Sequence, residues 1–170
     1  MSDRRERALE IHEQLIKAYG EPKPDAEREP VDTLVSTILS QNTTDTNRDR
    51  AYKRLQERFD SWEAVRDADL DEIKDAIRVA GLVNQKAPRI VRALDRITEE
   101  RGELSLDFLQ EMSVPEAKDW LTEIKGIGPK TAAIVLLFGL GMPSFPVDTH
   151  VHRVSKRLGL IADKVSREKA

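Results

Sequence analysis

The sequence predicts an all-α protein, and three observations point to that class. Apolar residues recur three or four positions apart along most of the 170 residues, which is the spacing of one helix face. No segment alternates apolar and polar residues with the period of two that a half-buried strand requires. Hydrophobic residues make up 39% and charged residues 35%, a balance typical of helices with one apolar and one charged side. We therefore expect about ten short helices with short connections.

Three apolar faces account for the N-terminal part of the chain. A first helix ends at Gly20, and its apolar face comprises Ala8, Ile11, Leu15 and Tyr19. A polar, proline-containing linker over residues 21–30 leads to a second helix, whose apolar face comprises Val31, Leu34, Val35, Ile38 and Leu39. The polar residues 40–44 end this face and offer N-cap side chains to a third helix, which contains Ala51, Leu55 and Phe59.

Two capping-box spacings mark helix starts further along, Asp69 with Glu72 and Ser113 with Glu116. The helix after Asp69 is predicted to end at Gly81, because glycine readily takes the left-handed conformation of a helix end. Another helix carries the apolar residues Ile90, Val91, Leu94 and Ile97. The helix after Ser113 carries Trp120, Leu121 and Ile124.

Composition and charge exclude several classes of protein. There is no cysteine, which excludes disulfides, thiolate zinc sites, cysteine nucleophiles and cysteine-held iron–sulfur clusters within this chain. The formal charge of −3 excludes a uniformly basic surface, but residues 125–157 are locally basic, with Lys125, Lys130, Arg153, Lys156 and Arg157 against Asp148 alone. No apolar stretch approaches the roughly 20 residues of a membrane helix. Residues 1–7 do not resemble a secretory signal, so we expect a cytoplasmic protein without a membrane partner.

The most informative segment is residues 121–136, LTEIKGIGPKTAAIVL. Gly126 can end one helix with a positive φ, and Ile127 at the apex would return to the core. Gly128 would then let the chain reverse before Pro129, which suits the first position of a new helix. Backbone N–H groups beside a helix N-terminus favour a phosphate oxygen. The segment therefore predicts a helix–turn–helix that can hold a phosphate backbone.

This pattern resembles the helix–hairpin–helix motif of DNA-binding proteins, because apolar residues flank the two glycines at helical spacing. Together with residues 145–154, FPVDTHVHRV, it resembles the helix–hairpin–helix plus Gly/Pro–Asp signature of base-excision DNA glycosylases. Within that superfamily it is most similar to the endonuclease III family. Residues 38–45 and 81–87 also look like endonuclease III segments, so the resemblance covers nearly the whole chain, residues 5–160.

The resemblance implies a helix–hairpin–helix DNA glycosylase fold. A six-helix barrel domain would cover residues 29–138, with the helix–hairpin–helix at 116–138, and residues 1–28 and 139–170 would form a partial second helical domain. Endonuclease III relatives usually hold a [4Fe–4S] cluster on C-terminal cysteines. Because this chain has no cysteine, we expect no cofactor in it, and we expect a truncated or naturally short form.

The resemblance also implies a DNA glycosylase with AP lyase activity. Its partner would be double-stranded DNA that contains either an abasic site or a damaged base, and the expected damage is an oxidised pyrimidine. The protein would bind this DNA as a monomer. Lys130 would be the nucleophile, since the positive end of a helix and partial burial both lower the pKa of an amine and allow a Schiff base. Asp148 would cap the helix that carries Val151, Val154 and Leu158, lie across a cleft from Lys130, and stabilise positive charge on the sugar.

Further DNA contacts are expected at Gly126, Ile127, Gly128, Gln41, Asn42, Lys86, His150 and Arg153. In endonuclease III a loop glutamine fills the gap that an extruded base leaves. Aligning on Ser40 and Asp45 places Asn42 at that position with Gln41 beside it, so both are candidates. No metal site is expected, because His150 and His152 are two positions apart and face different sides of a helix.

Two alternatives remain open from the sequence. One is a glycosylase of the same fold with mismatch or adenine specificity, although enzymes that only hydrolyse the glycosidic bond usually lack the lysine. The other is a non-catalytic helix–hairpin–helix DNA-binding module, which would need neither Lys130 nor Asp148.

Overall fold

The computed structural model describes residues 2–22 and 28–166, so residues 23–27 of the expected linker lie outside the described part. Within those two ranges all regular secondary structure is helical, which confirms the all-α prediction. None of these helices is long and apolar enough to cross a bilayer. The α-helices of the described chain are α1 (Ser2–Tyr19), α2 (Pro30–Ser40), α3 (Asp45–Arg58), α4 (Trp62–Asp67), α5 (Leu70–Ala76), α6 (Val83–Arg101), α7 (Val114–Glu123), α8 (Pro129–Ile134) and α9 (Thr149–Arg157).

The described residues separate into two compact units. The smaller unit comprises those before Arg28 and after Pro146, and it contains α1 and α9. Within it, Nε of Arg7 donates a hydrogen bond to the carbonyl oxygen of Leu158 at 2.7 Å, which links α1 to the end of α9. The larger unit, Arg28–Pro146, contains α2 to α8.

Helix α2 lies in the core of the larger unit. Leu34, Val35, Ile38 and Leu39 have no exposed surface, and α3, α6 and α8 all pack against this helix. Burial of such side chains contributes about 1.5–3 kcal/mol each, so α2 is a rigid support for the polar residues that follow it. Its N-terminus also meets a π-helical segment, Val135–Gly139, that continues α8. A Cβ atom on Gly139 would lie 2.9 Å from Cα of Pro30, so this close approach requires glycine.

One of the two predicted capping boxes forms. The Glu116 carboxylate accepts a hydrogen bond from the backbone N–H of Ser113 at 2.9 Å, as the spacing predicts. The Asp69 prediction is wrong in part. Asp69 does cap α5, by accepting from the N–H of Asp71, but the Glu72 carboxylate lies 3.5 Å from Arg58 on α3 instead of returning to the cap.

The helix predicted to end at Gly81 is shorter than expected. Helix α5 ends at Ala76, and a 3₁₀ turn, Arg78–Ala80, closes at Gly81 with φ +69°. Leu82 then takes a left-handed conformation before α6 begins. A second 3₁₀ segment, Asp107–Glu111, precedes α7.

Candidate DNA-binding and catalytic residues

The hairpin, residues 124–129, connects α7 to α8 and has the predicted glycine turn. Gly126 has φ +104°, a conformation that side chains rarely adopt. Ile127 is only 4% exposed, and its N–H donates to the carbonyl oxygen of Ile124 at 2.9 Å. The apex side chain therefore returns to the core and leaves the backbone of the turn at the surface, as expected.

Gly128 does not have the role expected of it. Its φ is −99° and its ψ is 173°, which any residue can adopt, so the chain reverses at Gly126 and not at Gly128. The carbonyl oxygen of Gly128 accepts the first hydrogen bond of α8, from Ala132 at 3.0 Å. A Cβ atom on Gly128 would meet no atom within 4 Å. The fold therefore tolerates a side chain here, and the open space in front of Gly128 is available to a ligand.

Lys130 is the second residue of α8 and is exposed. The following residues, Thr131, Ala132 and Ala133, are buried and form the contact of α8 with the core. The expected partial burial of Lys130 is wrong, because the side chains that enter the core begin one position later. The Lys130 side chain is consequently at the surface of the larger unit.

Asp148 is the N-cap of α9 in the smaller unit, as predicted. Its Oδ1 accepts hydrogen bonds from the N–H groups of His150 at 2.9 Å and Val151 at 2.8 Å. Two backbone donors hold the carboxylate in one orientation. Asp148 is thus positioned by the start of its own helix.

The two histidines of α9 have separate partners, in agreement with their spacing. Nδ1 of His150 lies 3.2 Å from Nη2 of Arg153, and both side chains are exposed. Nε2 of His152 lies 2.9 Å from the carbonyl oxygen of Val165. His150 and Arg153 therefore form one exposed polar pair on α9, and His152 supports the segment that follows the helix.

The Gln41 loop, residues 41–44, distinguishes its two candidate residues. Gln41 is half-buried, and its Oε1 accepts a hydrogen bond from Nη1 of Arg89 on α6 at 2.6 Å. Asn42 is exposed and left-handed, with φ +51°. The loop ends where Thr44 caps α3 by accepting from the N–H of Asn47. Asn42 therefore projects from a loop that is held at Gln41 by Arg89 and at Thr44 by the cap of α3.

Lys86 is not a phosphate contact, and that expectation is wrong. The side chain has no exposed surface, and its Nζ donates to the carbonyl oxygens of Leu39 and Ala80, both at 2.7 Å. Burial lowers the pKa of Lys86 from 10.5, and the positive charge of Arg89 lowers it further. A signal was present in the sequence, since Lys86 lies at helical spacing with the buried Ile90.

Leu82 was missed by the sequence reasoning. This apolar residue is 44% exposed and has φ +51°. Among the described residues, Asn42 and Leu82 are the two non-glycine residues with a positive φ. Such conformations are uncommon outside glycine and occur often at functional sites. No sequence pattern marked Leu82, because its conformation depends on the short 3₁₀ turn before it.

Comparison with known proteins identifies the family. Residues 35–170 match a family described as HhH-GPD superfamily base excision DNA repair protein. A candidate DNA glycosylase of Arabidopsis thaliana is 41% identical over 163 residues, which are 95% of this chain and 56% of that relative. Endonuclease III of Thermotoga maritima is 35% identical over 159 residues, which are 94% of this chain and 70% of that protein.

The fold comparison agrees with the sequence comparison. A solved structure described as a trapped endonuclease III–DNA covalent intermediate matches with a TM-score of 0.73 and 29% identity, over 96% of this chain and 74% of that one. This chain spans little more than half the length of the Arabidopsis relative. The family match nevertheless covers most of the residues, the hairpin and the segment around Asp148 included. The chain belongs to the HhH-GPD superfamily of base excision DNA repair proteins and is an endonuclease III-like member of it.

Proposed function

We propose that this protein is a base-excision DNA glycosylase with AP lyase activity that removes oxidised pyrimidines from duplex DNA. The observation that carries the proposal is the exposed amine of Lys130 immediately after a glycine hairpin in a chain of this family. A covalent intermediate with DNA is described for a structural relative. A covalent intermediate needs a nucleophile on the protein, and an amine supplies one without any cofactor.

The proposed reaction uses the amine of Lys130, and the family resemblance assigns the role of proton acceptor to Asp148. Once the amine has lost a proton, Nζ of Lys130 attacks C1′ of the damaged nucleotide, and the bond from C1′ to the base breaks. The base leaves with the electron pair and takes up a proton. One of the two remaining amine protons passes to O4′ as the sugar ring opens, which gives a protonated imine between Nζ and C1′. Loss of a C2′ proton then breaks the C3′–O bond and expels the 3′ phosphate, and water releases the lysine.

The DNA would be held through its backbone and through the gap left by the extruded base. The surface backbone around Gly126 and Gly128 offers donors to a phosphate, with open space in front of Gly128. His150 and Arg153 supply a further exposed phosphate contact on α9. Asn42, and not Gln41, is assigned to the gap, since Asn42 is exposed whereas Arg89 already binds the Gln41 amide oxygen.

Reductive trapping tests the chemistry. Duplex DNA with one abasic site is incubated with protein and borohydride, which reduces the imine to a stable amine. We expect a covalent adduct with the wild type and none with Lys130→Ala. Lys125→Ala is the matched control, because Lys125 is also exposed and lies in the hairpin just before α8.

The outcomes separate the remaining possibilities. An adduct that persists in Lys130→Ala would place the nucleophile elsewhere. A wild type that binds abasic duplex but forms no adduct would favour a non-catalytic DNA-binding module. Excision rates on duplexes that carry an oxidised pyrimidine, a mismatch or an adenine opposite 8-oxoguanine then identify the substrate class, and a preference for either of the last two would overturn the assignment to oxidised pyrimidines.

A further inference from the structure

We propose that Lys86 and Arg89, one turn apart on α6, are positioning residues that hold three segments of the larger unit, two of them proposed DNA contacts, in one arrangement before DNA arrives. These segments are the Gln41 loop, the turn at residues 81–82, and the hairpin. The inference rests on the proposed DNA-binding function, and it assigns a task to two cations that the chemistry does not use.

Lys86 joins the C-terminal end of α2 to the end of the 3₁₀ turn before α6. The carbonyl oxygen of Leu39 belongs to the last turn of α2, and that of Ala80 ends the 3₁₀ turn before α6. Carbonyl groups at helix ends lack partners within the helix, and a cation is favourable at this negative end. One buried ammonium therefore satisfies both. Asn42 follows Leu39 by three residues and Leu82 follows Ala80 by two, so the same group anchors both left-handed residues.

Arg89 joins the Gln41 loop to the hairpin. Its guanidinium donates to Gln41 at 2.6 Å and to Gln85 at 3.3 Å. Its aliphatic stem covers Gly126 so closely that a Cβ atom there would lie 2.8 Å from both Cγ and Cδ of Arg89. The glycine at the turn thus has two reasons to be glycine, its positive φ and the arginine packed on it.

The expected benefit is affinity. Loops that must become ordered on binding reduce affinity by the entropy they lose. Contacts that already order the loops in the free protein avoid that loss. Arg89 is only half-buried, and a partly exposed polar contact contributes little to folding stability. Removal of Arg89 should therefore weaken DNA binding while the protein stays folded. Lys86 is fully buried, so its removal also affects stability, and Arg89 is the cleaner probe.

The test measures binding of the folded protein to duplex DNA with an abasic-site analogue at several salt concentrations. We expect Arg89→Met to bind roughly tenfold more weakly, a coupling of the size seen for contacting residues. Arg92→Met is the matched control, since Arg92 is exposed on the same helix, and it should bind nearly as well as the wild type. Melting temperatures confirm that each variant is folded.

Two readouts distinguish a positioning role of Arg89 from a direct contact between Arg89 and DNA. Combining Arg89→Met with Gln41→Ala should weaken binding no more than the larger single change, because each removes the same hydrogen bond. The slope of log affinity against log salt should equal that of the wild type. A slope reduced by about one would show that Arg89 contacts a phosphate directly and would overturn the proposal.

Equal affinity of Arg89→Met and wild type would also overturn it. If the wild type itself does not bind the duplex, the result contradicts the proposed function as well as the positioning role of Arg89. Hydrogen exchange adds an independent readout: in Arg89→Met, amides of residues 41–44 and of the hairpin should exchange faster together. Unchanged exchange in either segment would contradict the joint role.

Discussion

Nη1 of Arg89 donates a 2.6 Å hydrogen bond to Oε1 of Gln41, across 48 positions of sequence. This contact decides between two neighbouring residues that the sequence could not separate. Gln41 is held at the base of its loop, and the exposed, left-handed Asn42 is the side chain that the loop presents. The hydrogen bond therefore anchors the loop at Gln41 and leaves Asn42 as the side chain that the loop exposes.

Asn42→Gly should impair base excision from duplex DNA. Glycine adopts the φ of +51° without strain, so the substitution removes the side chain and leaves the backbone of the loop in place. Extrusion of a base costs a few kcal/mol, and a side chain that fills the gap offsets part of that cost. Without this side chain, single-turnover excision should fall roughly tenfold or more. Cleavage of a single-stranded abasic oligonucleotide is the control, since no gap forms there, and an equal loss on both substrates would contradict the assignment.

Gly126→Ala should lower stability, whereas Gly128→Ala should lower DNA affinity without lowering stability. Alanine at 126 meets both the positive φ and the stem of Arg89, so the free energy of unfolding should fall by about 1 kcal/mol or more. Alanine at 128 meets nothing, so the melting temperature should stay near that of the wild type. DNA affinity should nevertheless fall in Gly128→Ala, because the methyl group occupies the space in front of the backbone. Unchanged affinity in calorimetric titrations would show that DNA does not approach Gly128.

Lys86→Met should destabilise the protein in a pH-dependent way. Two buried carbonyl groups lose their donor, at about 1–3 kcal/mol each. Burial lowers the pKa of Lys86 from 10.5 in the folded state. Between the lowered value and 10.5 the unfolded chain binds more protons, so the wild-type free energy of unfolding rises with pH there. The stability difference from Lys86→Met should therefore widen toward pH 10.5, and urea unfolding measures it. Lys125→Met is the control, and a difference that narrows with rising pH would contradict the lowered pKa of Lys86 in the folded state.

Asp148→Asn should impair catalysis and spare binding. The asparagine side-chain oxygen can still accept from the N–H groups of His150 and Val151, so the cap of α9 and the position of the side chain are preserved. The negative charge and the proton acceptor are lost, and the rate of adduct formation should fall about 100-fold or more. Affinity for an abasic-site analogue is measured in parallel. Activity equal to that of the wild type would reject the role of Asp148.

Features that depend on a few consecutive residues could be read directly from the sequence. The Ser113–Glu116 box, the turn at Gly126 with Ile127 returned to the core, and the cap formed by Asp148 each use hydrogen bonds or contacts within three or four positions. For these three features residue type and distance along the chain specified the partner, whereas at Asp69 the same spacing failed because Glu72 lies 3.5 Å from Arg58 on α3. The helical class follows for the same reason.

The errors concern residues whose surroundings come from distant segments. Lys86 was expected on the surface because lysine is rarely buried, yet α2 and the turn before α6 bring two carbonyl groups to it from 47 and 6 positions away. The burial expected for Lys130 failed similarly, since α8 meets the core only from Thr131 onward. The helical spacing of Lys86 with Ile90 indicates a buried position, but only the packing of α2 and the turn before α6 decides which groups bind its amine.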